Sequence, residues 1–370
     1  VVTPTLEKNP MIPVFKPFMP DAITAELETI LHSGKLAFGE YGRKFEEQLK
    51  HYIGNEKVLT VSSYNHALLI VLSTLGLKPG DEVIASPVSC LASNQPFAVK
   101  GLKVVWADVD PNSGAMSVED VKRKITKNTK AIFHNHYCGY LGHVQEMNTL
   151  GKMYGIPVID DNIEAFGSQL KNNKSGNLGT DISVFSFQTV RLPNTIDGGA
   201  IVFQDNQLFE KAKLIRDYGI DRMNFRNGLN EINKACDISL EGYGALMSEV
   251  NSLIGLRQMT QIDNLIEKQR QNSSKWTNIL EKIPHVNELK PTPNVLPNYW
   301  VFGVLSDNKL ETIREFRNHG FYATSVHINN NIYSIFNNKT NLKGVNEFME
   351  RFVAIPCGWW LNTDQIKYDS

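Results

Sequence analysis

Residues 158–199 read VIDDNIEAFGSQLKNNKSGNLGTDISVFSFQTVRLPNTIDGG. An apolar, β-branched run, Ile156 to Ile159, ends in Asp160-Asp161. A carboxylate at the tip of a buried strand is costly unless it meets a compensating partner. A polar, Gly-rich connection follows, then a second apolar run, Ile182 to Phe187, which stops at Gln188. The pair Gly198-Gly199 leads into a further strand, Ala200 to Phe203. Composition alone reads this as two core strands joined by an exposed loop. The order is more specific: Asp at one strand end, Ser-Phe at the next, then Asp-Gly-Gly.

That order resembles the DegT/StrS family of nucleotide-sugar aminotransferases, which use pyridoxal phosphate (PLP). The resemblance implies that Asp161 binds the pyridine nitrogen of PLP and that Ser186 binds its phosphate. Asp197-Gly198-Gly199 matches a family turn. The family lysine that forms the Schiff base falls on Arg191. The likeness runs from Ile12 to Trp360 and implies a fold-type I α/β architecture. A large domain with a mainly parallel, helix-covered sheet is expected over residues 1–240. A long linking helix and a small α+β domain are expected over 241–370.

The bulk numbers agree with such a chain and exclude other classes. A chain of 370 residues can bury one large or two moderate cores. Its 38 basic and 39 acidic residues nearly cancel, which argues against nucleic acid or a membrane surface as partner. No apolar run approaches the roughly 20 residues of a membrane helix. The N-terminal VVTPTLEKNPM lacks the apolar stretch of a signal peptide. Cys90, Cys138, Cys236 and Cys357 are far apart, with no CxxC spacing, so a reducing cytoplasm is the simplest setting.

Along the chain, strands and helices alternate with short links, the pattern of a parallel sheet covered on both faces. Sites in such sheets lie beyond the carboxyl ends of the strands. Tyr64, Asp161, Ser186 and Arg191 all fall there. Lys57 to Val61 reads as a strand, and Ser62-Ser63 precede a helix. These serines fit either simple capping or an anion site at a helix N-terminus. The family places a Gly-Thr pair at this turn for the PLP phosphate, where this chain has Tyr64-Asn65. Leu91 falls where many members stack an aromatic ring on PLP. Gln188 follows the Ser186 strand. His134 and His136 share one strand face, as a metal pair would, but no third ligand is evident, and a hydrogen-bonded core histidine is the simpler reading. No metal is therefore expected. Asp217 to Glu241 is polar and irregular and reads as a long loop. Tyr243 to Leu265 reads as one long helix, and strands are expected over Tyr299 to Leu305 and Tyr322 to Val326.

The departures from the family converge on the cofactor. Arg keeps its charge in proteins and forms no ordinary Schiff base. The family Gln beside the phenolic oxygen of PLP is Glu164 here, and an Asn that reaches the partner subunit's phosphate is Gly244. His327 matches a family His near the sugar. The expectation is a nucleotide-sugar protein with a remodelled pocket. Arg191, Asp161, Glu164 and His327 are its candidate catalytic groups. Tyr64, Asn65, Leu91, Asp161, Ser186 and Gln188 are the residues around the cofactor position. No covalently bound cofactor is expected, with PLP or pyridoxamine phosphate (PMP) held only non-covalently. The expected partners are a nucleotide-linked sugar and a second copy in a homodimer, or an active homologue whose site this chain completes as a non-catalytic subunit.

Overall fold

The computed structural model describes residues 11–366; the reading of the extreme N-terminus as free of a leader lies outside them. The first half contains α1 (Thr24–Leu31), α2 (Glu40–Ile53), β1 (Val58–Val61), α3 (Tyr64–Thr74), β2 (Glu82–Ala85), α4 (Leu91–Val99), β3 (Lys103–Trp106), α5 (Val118–Lys124), β4 (Thr129–Asn135), α6 (Val144–Tyr154) and β5 (Val158–Asn162). A small hairpin, β6 (Gln169–Leu170) and β7 (Asn173–Lys174), interrupts the run before β8 (Ile182–Ser186), β9 (Gly199–Phe203) and α7 (Asn206–Arg216). Then come α8 (Glu249–Met259), α9 (Ile262–Leu280), β10 (Asn287–Glu288), β11 (Val295–Leu296), β12 (Phe302–Leu305), α10 (Lys309–Asn318), α11 (Lys343–Arg351) and β13 (Phe352–Ile355).

The large sheet has the order β1-β9-β8-β5-β4-β2-β3. The five strands β3, β2, β4, β5 and β8 run parallel, and β9 is antiparallel to both its neighbours. Every residue of β5, β8 and β9 is buried, as expected for strands covered on both faces. The fold is thus the mainly parallel, helix-covered α/β architecture of the sequence reading. Because β1 lies antiparallel to β9, its end at Val61 falls on the same edge as Ser186, both paired with Gly199. Gly199 has a physical reason to be glycine: a Cβ there would meet the Phe185 carbonyl at 2.8 Å and the Tyr64 Cα at 3.2 Å. The turn from β1 into α3 therefore rests directly on the start of β9.

A second, three-stranded sheet, β10-β12-β13, packs with α10 around Trp276, Phe302, Phe316, Phe321 and Val353. Three sequence expectations change here. The single helix over 243–265 is two helices, α8 and α9, and residues 243–245 are extended. Tyr243 N–H and Ala245 N–H donate to the carbonyls of Ile215 and Arg216, so tertiary pairing overrides helical propensity. Ser248 then caps α8 through the Asn251 N–H. The strand expected from Tyr299 starts only at Phe302, since Tyr299 has φ +52°. Residues 322–326 contribute a single bridge, Thr324 to Ala354, in place of a strand.

Candidate active site at the carboxyl edge of the sheet

Neighbouring residues of a strand face opposite sides, so Asp160 and Asp161 enter different environments. Asp161 faces α3. It is fully buried, and its Oδ1 accepts a hydrogen bond of 2.7 Å from the Tyr64 hydroxyl and one of 3.1 Å from the Ile163 N–H. Its Oδ2 is buried and accepts no hydrogen bond of ordinary geometry, though the Ser93 hydroxyl lies close enough to favour the charge. None of the leading influences on its charge comes from a cation. Burial pushes the carboxyl up to about 6, against the Ser93 and Tyr64 hydroxyls that favour its charge. The Tyr64 phenol is itself raised well above its ordinary range, by burial first and then by Asp161.

A few residues on, Glu164 holds the opposite kind of carboxylate. Its Oε1 accepts from His327 Nε2 at 2.8 Å and from Arg191 Nη1 at 3.3 Å, and its Oε2 accepts from the Cys138 N–H at 2.6 Å. Burial pushes this carboxyl up, but His327 and Arg191 outweigh burial and hold it below its ordinary value. Arg191 follows β8 through a turn closed by its own N–H to the Gln188 carbonyl. Its guanidinium lies over the Trp300 indole, 4.3 Å from the ring centroid, and Phe15 stacks on the same indole at 4.4 Å. The Arg191 Nε is buried without a partner. His327 is half-buried.

Tyr64, Asp161, Glu164, Ser186 and Arg191 are thus all buried at one edge, with His327 joining them. Asn65, Leu91 and Gln188 are exposed, and Gln188 Oε1 accepts from the Val190 N–H. Ser62 and Ser63 serve α3: the Ser63 hydroxyl caps it through the His66 N–H, and Ser62 Oγ lies 2.8 Å from His66 Nδ1. Trp300 and Ser93 belong to the site and carried no signal in the sequence, since nothing local ties them to the strand ends. Gly244 leaves room for the Tyr218 hydroxyl, which a Cβ there would strike.

On the opposite face, Asp160 is the third residue that the histidine pair lacked. It pairs with His134 across β4 and β5, and the ligand atoms of His134, His136 and Asp160 lie within 4.8 Å of one another. The Gly142 N–H donates to His136 Nδ1, which in a neutral ring puts the proton on Nε2, the atom 3.5 Å from Asp160 Oδ1. That proton occupies the lone pair a metal would need. In the cluster His134 Nδ1 lies 3.1 Å from Asp160 Oδ1 and Thr180 donates to Asp160 Oδ2 at 2.6 Å, while the Nε2 atoms of both histidines have no hydrogen-bond partner.

A helix-covered parallel sheet with a buried carboxylate and an ionic cluster at its carboxyl edge defines a protein of the fold-type I aminotransferase class. The chain belongs to the DegT/DnrJ/EryC1/StrS aminotransferase family, whose model matches residues 18–368. It is 29% identical to GDP-perosamine synthase of Escherichia coli O157:H7 over 309 residues, 83% of this chain and 81% of that one. The solved structure of AtS13 from Actinomadura melliaura superposes with a TM-score of 0.91 at 28% identity, covering 97% of this chain and 98% of that one. The E. coli GDP-4-keto-6-deoxy-D-mannose-3-dehydratase with bound hydrated PLP has the same fold, with a TM-score of 0.85 at 21% identity, 97% of this chain and 98% of that one.

These findings correct the expectation that no cofactor is covalently bound and that PLP or PMP is held only non-covalently. The family is one of aminotransferases, and solved neighbours carry PLP, in one case as a PLP–glutamate geminal diamine. The inference from Arg191 equated a missing lysine amine with missing covalent chemistry. The PLP aldehyde also bonds to amines that arrive from solution. The residues here fit the ring-nitrogen end of PLP, because the orphaned Asp161 Oδ2 is the acceptor that a pyridinium N–H requires.

Proposed function

We propose that this chain acts on a nucleotide-linked sugar in the synthesis of unusual sugars, using a pocket remodelled around Arg191. The observation that carries this reading is the ionic cluster Arg191–Glu164–His327 beside the buried Asp161. Family membership supports the substrate class, since relatives are named for GDP- and dTDP-linked sugars. Arg191 takes the position of the family lysine and stays charged at every working pH. It orients an anionic group while Glu164 and Trp300 hold its plane. His327 is half-buried, holds a proton toward Glu164 and is the group placed to exchange one with a sugar hydroxyl or carbonyl. PLP, when bound, supplies an electron sink. Asp161 would hold its ring nitrogen, and Ser186 with the start of α3 its phosphate.

Two further proposals go with this reading. The protein works as a homodimer, and its four free cysteines suit a reducing cytoplasm. Calorimetric titration with GDP-, dTDP- and UDP-linked sugars tests the function. One nucleotide-sugar is expected to bind, and Arg191→Ala is expected to weaken it at least tenfold, ~1.4 kcal/mol. Failure of every nucleotide-sugar to bind the folded protein would remove the proposal.

A further inference from the structure

Tyr64 stands at the first position of α3, on the turn that faces the edge of the sheet. Its side chain does not turn back into the helix. It crosses the site, is 3% exposed, and ends with its hydroxyl on Asp161 Oδ1 and 3.5 Å from the Ser93 hydroxyl. The ring therefore spans the distance between the helix N-terminus and the strand-end carboxylate. The same two points would anchor PLP, phosphate at one end and ring nitrogen at the other. A phenol is a flat six-membered ring with one hydrogen-bond donor at its tip, as is a pyridinium ring with its N–H.

We infer that Tyr64 is an internal competitor for the cofactor site. Its hydroxyl takes Oδ1 of the carboxylate to which the proposed function assigns the ring nitrogen, and its buried ring fills the space beside that carboxylate where a cofactor ring would have to lie. Asp161 is left with one oxygen satisfied by the chain and one free, Oδ2. PLP must displace the Tyr64 side chain to bind, so the affinity of the protein for PLP is set by how easily that ring swings out. A displaced phenol that meets solvent is relieved of the burial that now raises its pKa.

The inference rests on the reading of this edge as a cofactor and sugar site, and its test uses PLP alone, without any sugar. Equilibrium dialysis and absorbance titration give the PLP dissociation constant of wild type, Tyr64→Phe and Tyr64→Gly, each with its fold verified by circular dichroism. Tyr64→Gly is expected to bind PLP roughly 10- to 100-fold tighter, because the ring and its charge-assisted hydrogen bond are both gone. Tyr64→Phe keeps the packing and is expected to gain several-fold from loss of the hydroxyl contact alone. Adding Asp161→Asn to Tyr64→Gly is expected to abolish the gain. Equal PLP affinity in wild type and both single variants overturns the inference, as does a gain that survives Asp161→Asn. Failure of the nucleotide-sugar reading would leave these PLP constants unchanged.

Discussion

Asp161 and Glu164 are neighbours in sequence with opposite electrostatic settings, and pH separates them. For Asp161 the folded value of about 6 lies above its ordinary 3.8. Below about pH 4 it is protonated in both folded and unfolded chains and contributes nothing. As pH rises through 6 the folded state is made to carry a charge it disfavours, and about 3 kcal/mol of stability is lost. Asp161→Asn keeps an acceptor for Tyr64 and removes that loss. Urea unfolding of the two proteins from pH 4 to 7 is expected to show the variant gaining on wild type by up to ~3 kcal/mol; a flat difference would contradict the assignment. Glu164 is the reverse case. Its carboxyl is held below the ordinary 4.5, so its contribution is present above that pH and fades as the pH falls through the folded value. Glu164→Gln is therefore expected to destabilise at pH 7 by about 3 kcal/mol, because Arg191 stays buried with no anion, and to approach wild type in acid. An equal deficit at pH 7 and in acid would argue against an ionic role.

At the scale of elements, helices hold one another by their ends. Glu249 opens α8, yet its carboxylate accepts from the Gly39 and Gly42 N–H groups at 2.8 and 2.9 Å and from the Tyr41 N–H at 3.1 Å. It caps α2 across a gap of more than two hundred residues and satisfies donors that a helix start leaves open. Glu249→Ala is expected to cost about 2–3 kcal/mol, read as a lower urea midpoint at an unchanged slope. A midpoint within error of wild type would show that water replaces the cap. The late start of α8 within the expected long helix was invisible locally. Residues 243–248 carry no strong helix breaker beyond Gly244, and their extended form comes from hydrogen bonds to the end of α7. By contrast the strands β4, β5, β8 and β9 were legible, because a run of buried β-branched residues bounded by turn signals leaves little choice.

On the scale of the molecule, the long loop over 217–241 leaves apolar side chains uncovered. Met223 is 88% exposed, Leu229 84% and Ile232 60%. Exposed apolar side chains gathered in one loop are the part of the described surface most suited to contact with another molecule. In the homodimer proposed above, these side chains are expected to face the second copy. Sedimentation velocity is expected to give a dimer, and Leu229→Asp is expected to shift it toward monomer; a wild-type monomer of unchanged fold would defeat the proposal. Among the described residues no helix is long and apolar enough to cross a membrane.

The sequence by itself determined the alternation of strands and helices, the edge on which chemistry collects, and the family. The first two follow from periodicity and turn chemistry, which act over a few residues and need no knowledge of distant partners; the family follows from the likeness of residues 158–199 to a known motif. Only the tertiary structure decided what each charged group meets. Tyr64 reaches Asp161 from 97 residues away, and His327 reaches Glu164 from 163. Asp160 joins the two histidines only because β4 and β5 lie side by side in one register. Read alone, Glu164 and Tyr64 were departures from the family's Gln and Gly at those positions. Packed, the first is a salt-bridged anchor and the second a donor to the buried carboxylate. Such pairings are set by rotamers and by the desolvation they must offset, and both exist only once the chain has closed around them.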